Sequence, residues 1–270
     1  MIPMIKHRRR ASRNGSVPYE EMGRGDQTVL FLHGLFSSPE HWRPIMEDMA
    51  DQYRVVAPQL PIDSQPGRRQ TGIQSISDLT DFVGEFLDQL DLRQVVLCGN
   101  SLGGLVAIDF CLRHPEKAEA LVLAGSAGLD EYSLGGSKRP VATREYVHER
   151  TSEVLYNQEI VTDELVDGIH RDFSDRDYVR FVLRVARATR NRNVKGDLGK
   201  LKLPTLIIWG HQDQITPPVV ADEFHSGIED SQLFFLDNCG HAPNMEHPQQ
   251  FSRLLQEFLM GTVRDGEKRG

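Results

Sequence analysis

The sequence predicts an α/β protein in which a mostly parallel, doubly wound sheet carries a helical lid insertion. Short apolar runs alternate with longer stretches whose apolar residues recur at helical spacing, and this alternation is typical of βαβ units. The runs are almost continuously apolar, as expected when helices cover both faces of a sheet. One long stretch without a strand signal interrupts the alternation, and we predict that it forms the insertion.

The short apolar runs are predicted to be the strands of the sheet, with helices between them. Over 76–90, apolar residues recur at spacings of three and four, which predicts an amphipathic helix. A terminal helix is predicted over 248–260, with Pro248 near its start, where the missing N–H costs no hydrogen bond. The predicted strands are 28–32, 53–57, 94–98, 120–124, 205–209 and 232–236.

The interruption divides the chain into three parts. Over 128–203 the sequence shows several helical stretches and no strand signal, and a stretch of this length is too long for a structureless loop. We therefore predict a first core part over 1–128, a helical lid or cap over 129–200 and a second core part over 201–265.

Composition indicates a globular protein and argues against several classes of partner. The 270 residues are 39% hydrophobic and 26% charged, which is typical of a folded chain with a sizeable core. The net charge of −8 argues against nucleic acid as a partner, because phosphate binding needs a basic face. The basic run over 6–10 is predicted to be a solvated tail, since no apolar segment follows it as in a signal peptide. No apolar run reaches the roughly 18 residues that a membrane span needs.

The cysteines indicate a reducing compartment. Cys98, Cys111 and Cys239 are odd in number, lie in or beside apolar segments and show neither CxxC spacing nor a nearby histidine cluster. These features favour buried, reduced thiols in a cytoplasmic protein over disulfides or a metal site.

Ser101 is the candidate nucleophile because of the sequence around it. It lies between two glycines in a G-x-S-x-G pattern, after the predicted strand 94–98 and before the helix-forming residues 105–108. A sharp turn from strand to helix strains the backbone of the central residue and lifts its side chain clear of the sheet. Gly99 and Gly103 lack the Cβ atoms that would collide in such a turn. The pattern alone also fits an ordinary glycine-rich loop, so the assignment needs support from other residues.

A base and an orienting acid follow later strands. A serine hydroxyl is a weak nucleophile at neutral pH and needs both groups beside it. Asp213 follows the predicted strand 205–209, and His241 follows the predicted strand 232–236. Because the carboxyl ends of parallel strands meet at one edge of the sheet, we expect Ser101, Asp213 and His241 to converge there. Their chain order, Ser then Asp then His, is the one expected for this architecture.

Two backbone N–H groups are predicted to form an oxyanion hole, the site that stabilises the charge that develops on a substrate oxygen. One is the N–H of Leu102, at the start of the helix after the nucleophile, where the helix dipole is positive. The other is the N–H of Leu35, in the loop that follows the predicted strand 28–32. We assign His33, at the start of this loop, to positioning the loop and not to acid–base catalysis.

Four motifs make the chain resemble the α/β-hydrolases, and each follows a predicted strand in that family's order and spacing. The resemblance implies the α/β-hydrolase fold, with Ser101 as nucleophile, His241 as general base and Asp213 as the residue that orients the base. It also implies that Leu35 and Leu102 supply the oxyanion hole. The chain departs from the family at one loop, where it has PQLPID and members commonly carry an Asp and a run of glycines; this leaves the subfamily open. The motifs are HGLFSS at 33–38, GNSLGG at 99–104, WGHQD at 209–213 and GHAPNMEHP at 240–248.

The resemblance implies a serine hydrolase that cleaves a small-molecule carboxylic ester through an acyl-enzyme, without a metal or an organic cofactor. Haloalkane dehalogenases and epoxide hydrolases of the family use an aspartate nucleophile, so Ser101 argues against both. Meta-cleavage C–C hydrolases share the GNS sequence at the nucleophile but typically show HGxGPG where this chain has HGLFSS. C–C hydrolysis is therefore the second choice, ahead of lactonase, perhydrolase and thioesterase activity. A catalytically inactive binding protein is the non-enzyme alternative.

Some assignments around the site stay open. Asp130 is an alternative to Asp213 as the orienting acid, since some hydrolases take it from after the preceding core strand. Asp237 and Glu246 flank His241 and are predicted to be surface or supporting residues.

Substrate contacts are predicted for Phe36, Asn100, Leu134 and Phe181, with core packing as the alternative for the apolar three. The insertion also carries arginines, several of them on one helical face. They fit either a clamp for an anionic substrate group or a solvated face balanced by acidic residues, and the second interpretation is favoured. These residues are Arg180, Arg184, Arg187, Arg190 and Arg192.

Overall fold

The structure is a computed structural model, and it describes residues 6–12, 15–62, 73–129 and 143–269. Its strands are β1 (Lys6–Ser12), β2 (Gly15–Met22), β3 (Thr28–Leu32), β4 (Arg54–Pro58), β5 (Val95–Asn100), β6 (Ala118–Ala124), β7 (Thr205–Gly210) and β8 (Ser231–Leu236). Its α-helices are α1 (Arg43–Met49), α2 (Ile76–Gln89), α3 (Leu102–Arg113), α4 (Arg144–Val154), α5 (Asp163–Phe173), α6 (Arg176–Asn191), α7 (Pro218–Gly227), α8 (Pro243–Glu246) and α9 (Pro248–Arg269). Short 3-10 helices cover Pro39–Trp42, Pro115–Lys117, Gln158–Ile160 and Lys195–Lys200.

All of these strands form one sheet in the order β1-β2-β4-β3-β5-β6-β7-β8. The strands from β3 to β8 are parallel to one another, whereas β2 pairs antiparallel with both β1 and β4. The loops that follow β3, β5, β6, β7 and β8 therefore meet at the carboxyl edge of the sheet.

Helices cover both faces of the sheet and enclose two cores. One core joins the sheet to residues of α2, α3, α6 and α7. The other joins the opposite face to α1 and α9, and its centre is an aromatic cluster in which the Trp42 ring lies 4.9 Å from Phe31 and 5.8 Å from Phe251. This arrangement confirms the predicted doubly wound, mostly parallel sheet.

The predicted strands correspond to β3 through β8, with ends that differ by at most two residues. The prediction of a solvated tail at 6–10 was wrong, because this segment lies in β1 and pairs with β2. The register sets Lys6 opposite Glu21 and His7 opposite Glu20.

We define the helical insertion as 143–200 within the described residues. It lies between β6 and β7 and contains α4, α5 and α6, and its described residues form no strand. The apolar face of α6 is buried in the first core, where Tyr178 and Val185 are among the packed side chains. The C-terminal end of α6 is held by Arg192, whose Nε donates to Asp109 Oδ1 of α3 at 2.9 Å. The other oxygen of this buried carboxylate accepts from Thr80 Oγ1 at 2.9 Å.

Replacing Arg192 with methionine is expected to lower the free energy of unfolding by about 2 kcal/mol, because it leaves the buried Asp109 carboxylate without its closest cation. Urea unfolding at neutral pH measures the change. Arg190→Met is the matched control, since Arg190 is exposed near the same end of α6 and its replacement is expected to cost less than about 0.5 kcal/mol. Equal losses in the two variants would contradict the role of Arg192.

Candidate active site

Ser101 lies in the turn between β5 and α3 with a strained backbone. Its φ is 54° and its ψ is −120°, a conformation that residues other than glycine rarely adopt. The surrounding backbone holds this conformation, because Ser101 N donates to Ala124 O at 3.1 Å and Ser101 O accepts from Ala127 N at 3.0 Å. The turn thus has the strained geometry that the sequence predicts.

The two glycines that flank the turn are required by close backbone contacts. A Cβ atom on Gly99 would lie 2.3 Å from Gly103 O, and one on Gly103 would lie 2.2 Å from Leu32 O at the end of β3. Both distances are far shorter than any van der Waals contact, and the opposing atoms belong to the backbone and cannot move aside. Gly99 is therefore required by the tightness of the turn itself, and Gly103 by the packing of the turn against β3.

His241 and Asp213 are in direct contact in the loops after β8 and β7. His241 Nδ1 lies 2.9 Å from Asp213 Oδ2, and both side chains are buried. The carboxylate is oriented by three further donors, since its Oδ1 accepts from Ile215 N at 2.8 Å and Thr216 N at 2.9 Å, and its Oδ2 accepts from Thr216 Oγ1 at 2.9 Å. With Nδ1–H donated to the carboxylate, the neutral imidazole presents Nε2 as its acceptor.

The loop that carries His241 is tied to the turn that carries Ser101. The side-chain amide of Asn100, the residue before Ser101, donates to His241 O at 3.0 Å and to Ala124 O at 2.9 Å. Gly125, with φ of 51°, lies against the same loop, and a Cβ atom there would be 2.5 Å from His241 O. The carboxyl ends of β5, β6 and β8 are in this way fixed relative to one another.

The loop after β3 lies against Ser101. A Cβ atom on Gly34 would lie 3.2 Å from Ser101 Cβ, so the backbone of this loop approaches the serine closely. Leu35 follows Gly34, and Leu102 is the first residue of α3, whose leading N–H groups have no partner within the helix. Both predicted oxyanion-hole residues are therefore in segments adjacent to Ser101.

His33 is held by hydrogen bonds as a neutral, buried imidazole. Its Nδ1 donates to Gly34 O at 2.9 Å, and its Nε2 accepts from Leu60 N at 3.0 Å and lies 3.0 Å from Gln59 Nε2. Burial lowers the pKa of His33 from 6.5 to about 4, against a smaller opposing effect of the Gly34 hydrogen bond. These contacts support its predicted role of positioning the loop.

The stability of the protein is expected to fall in acid because of His33. The unfolded chain binds a proton at an ordinary pKa of 6.5, whereas folded His33 binds one only near pH 4. The contribution of His33 to the free energy of unfolding is therefore complete above about pH 6.5. It is lost as the pH falls towards 4, and the loss reaches up to about 3 kcal/mol. Urea unfolding of the wild type and His33→Gln at about pH 7 and about pH 4.5 measures it. Equal pH dependence in the two proteins would contradict this assignment.

The predicted substrate-contact residues lie in different surroundings. Phe36 is 38% exposed and stacks on Phe173 of α5, with ring centroids 5.3 Å apart. Phe181 is buried in the first core, and the amide nitrogen of Asn100 donates to two backbone carbonyls. Leu134 lies outside the described residues, as does Asp130, the alternative orienting acid. Substrate contact by these side chains stays a prediction.

The arginines of the insertion mostly occupy its solvated surface. Arg180, Arg184, Arg187 and Arg190 are exposed, and Arg180 pairs with Asp177 of the same helix. Arg192 is engaged by Asp109, as described above. This distribution agrees with the solvated-face interpretation.

Two further residues support the site: Thr216, which was not singled out from the sequence, and Glu246, which was predicted to be a surface or supporting residue. Thr216 fixes the Asp213 carboxylate, and the Asp-x-x-Thr spacing is typical of a turn in which an aspartate accepts from nearby backbone N–H groups. Glu246 is buried, and its carboxylate accepts from Gly240 N and Asn157 N at 2.8 Å each. The second of these partners is distant in sequence, so no local pattern indicates it.

The described residues contain no group of three or more His, Cys, Asp or Glu side chains placed to hold a metal ion. All three cysteines are buried and free of disulfides, as predicted, and burial raises the pKa of each thiol. None of the helices in the part of the chain that the structure describes is long and apolar enough to cross a membrane.

Comparison with known proteins agrees with the fold and with the resemblance of the motifs. The uncharacterized hydrolase YugF of Bacillus subtilis (strain 168) is 28% identical over 253 residues, which cover 89% of this chain and 92% of YugF. The 2-hydroxy-6-oxononadienedioate/2-hydroxy-6-oxononatrienedioate hydrolase of Paraburkholderia xenovorans (strain LB400) is 27% identical over 266 residues, which cover 89% of each chain. Among solved structures, the meta-cleavage product hydrolase CumD of Pseudomonas fluorescens IP01 has a TM-score of 0.82 at 24% identity and covers 94% of this chain and 97% of CumD.

Comparison with protein-family models matches residues 29–254 to the alpha/beta hydrolase family. This match begins within β3 and ends within α9, and it includes every segment of the site described above. The chain belongs to the alpha/beta hydrolase family.

Proposed function

We propose that the protein is a serine hydrolase that cleaves carboxylic esters through an acyl-enzyme intermediate. The observation that carries this proposal is the hydrogen bond of 2.9 Å between His241 Nδ1 and Asp213 Oδ2, at the sheet edge where the strained turn holds Ser101. A serine, a carboxylate and a histidine in this chain order are typical of a catalytic triad with a nucleophilic serine.

In the first half of the reaction, His241 acts as general base. Its Nε2 takes the proton of Ser101 Oγ while Oγ attacks the ester carbonyl, and Asp213 stabilises the imidazolium that forms. The N–H groups of Leu35 and Leu102 donate to the carbonyl oxygen as it becomes an oxyanion. The intermediate collapses when His241 returns the proton to the leaving alkoxide, which leaves an acylated serine and a free alcohol.

The second half hydrolyses the acyl-enzyme. A water molecule gives its proton to His241 and attacks the acyl carbon, and the carboxylic acid is released as Ser101 recovers its proton. We assign the helical insertion as a lid over this site. The stacking of Phe173 of α5 on Phe36, beside Leu35, supports that assignment.

Hydrolysis of a carbon–carbon bond is the second candidate function. The relative from Paraburkholderia xenovorans is named as a hydrolase of a dienedioate and a trienedioate, and it aligns over most of both chains. The chain has HGLFSS at 33–38, which differs from the HGxGPG typical of C–C hydrolases, and this favours the ester as substrate.

The two candidates are separated by comparing p-nitrophenyl acyl esters with a vinylogous dienoic diketone acid as substrates for the wild type and Ser101→Ala. The ester proposal expects release of p-nitrophenolate by the wild type alone. Cleavage of the diketone acid without ester turnover would overturn it in favour of the second candidate. A folded wild-type protein that cleaves neither would instead favour a binding protein.

A further inference from the structure

The C-terminal end of α4 is bonded directly to the loop that carries His241. The N–H of His241 donates to Val154 O, the last carbonyl of α4, at 2.8 Å. The next residues of the insertion, 155–157, continue along the same loop. We call the contact between 154–157 and 240–241 the histidine junction.

A buried carboxylate accepts hydrogen bonds from both segments of this junction. Glu246, at the end of α8, is only 9% exposed, and its Oε1 accepts from Gly240 N while its Oε2 accepts from Asn157 N, each at 2.8 Å. One side chain thus holds one N–H of the histidine loop and one N–H of the insertion. Hydrogen bonds to an ionised acceptor are roughly twice as strong as neutral ones.

The junction has no spare space. A Cβ atom on Gly240 would lie 2.6 Å from Val154 O and 2.8 Å from Tyr156 N, so the two backbones are in contact at this point. Displacement of the end of α4 must therefore either move 240–241 or break the hydrogen bonds of the junction.

We propose that Glu246 is a positioning residue that couples the helical insertion to His241, so that the position of α4 sets the position of the general base. This inference rests on the proposed function. The insertion then has two contacts with the proposed catalytic residues. One is the histidine junction, and the other is the stacking of Phe173 of α5 on Phe36, beside Leu35. A substrate that moves the insertion would then align the base and the oxyanion hole together.

The test compares Glu246→Gln with Glu21→Gln in the full-length protein. Glutamine keeps the shape of the side chain but places an NH₂ donor where one of the two backbone N–H groups needs an acceptor. Glu21 is the matched control because it is also buried, at 7% exposure, and pairs with Arg54 at 2.9 Å. Arg54 begins β4, so this pair lies at the amino edge of the sheet, away from the histidine.

Glu246→Gln is expected to lower kcat by about 10- to 100-fold with little change in KM, because a small misplacement of a catalytic group is this costly. Glu21→Gln is expected to keep kcat within about twofold even where it lowers Tm. Gly240→Ala, which pushes the two backbones apart from the other side, is expected to lower kcat in the same way. Wild-type kcat in a folded Glu246→Gln protein would overturn the proposal.

A readout that needs no substrate separates this inference from the proposed function. Glu246→Gln is expected to speed amide hydrogen exchange at Gly240, His241 and Asn157 and to change the NMR chemical shifts of the His241 imidazole, whereas Glu21→Gln changes neither. Exchange rates and chemical shifts that match the wild type would overturn the coupling. Failure of the wild type to cleave any ester would overturn only the proposed function.

Discussion

Ser101→Ala is expected to lower kcat for ester hydrolysis by at least about 10,000-fold, because it removes the atom that forms the acyl-enzyme. The fold is expected to persist, since Ser101 contributes its backbone and not its side chain to the hydrogen bonds that anchor the turn. Alanine must still adopt the φ of 54°, so a small loss of stability is expected as well. Initial rates with a p-nitrophenyl ester, together with thermal unfolding, measure both effects.

Ser126→Ala is the control for this variant. Ser126 is buried, and its hydroxyl donates to Ala127 O at 2.8 Å near the same sheet edge. Its loss is expected to change kcat by less than about threefold, since a single neutral hydrogen bond contributes only about 1 kcal/mol. Comparable activity of the two alanine variants would contradict the role of Ser101.

Asp213→Asn is expected to lower kcat by about 10,000-fold while KM changes little, as for the equivalent change in a serine protease. The asparagine oxygen can keep the hydrogen bonds from Ile215 N and Thr216 N, which leaves its NH₂ facing His241 Nδ1. An NH₂ donor there favours the tautomer that carries the proton on Nε2, and this tautomer cannot accept the serine proton. Steady-state kinetics and the nitrogen chemical shifts of His241 report the two effects.

Asp237→Asn is the matched control, because this carboxylate lies in the loop before His241 but is largely exposed. It is expected to retain activity within about twofold, since exposed charges contribute little. Asp130→Asn tests the alternative orienting acid. Loss of activity in Asp130→Asn together with an active Asp213→Asn protein would reverse the assignment.

The central sheet was predictable from the sequence because its strands are buried on both faces. Val95–Asn100 is buried throughout and is apolar from Val95 to Cys98, and this pattern is visible without any knowledge of its neighbours. The first strand carries no such pattern, since Lys6–Ser12 lies at the edge of the sheet and is recognisable only by its pairing with Gly15–Met22. Its formation depends on a partner that the local sequence does not show.

Some residues of the candidate site were likewise predictable from the sequence, and others were not. Ser101, Asp213 and His241 were identifiable because each follows a strand, and parallel strands bring their carboxyl ends to one edge. Glu246 was not identifiable as a junction residue, because Asn157 is far from it in sequence and lies in the insertion. Contacts between the insertion and the core depend on the tertiary structure, and local periodicity carries no information about them.

Covalent labelling by a fluorophosphonate tests the proposed role of Ser101 most directly. The reagent reacts with a serine only when a base activates it and an oxyanion hole stabilises the adduct. We expect intact-protein and peptide mass spectrometry to find one adduct on Ser101 in the wild type, and none in Ser101→Ala or His241→Ala. A folded wild-type protein that stays unlabelled, or one whose adduct lies on another residue, would contradict the assignment of Ser101 as the nucleophile.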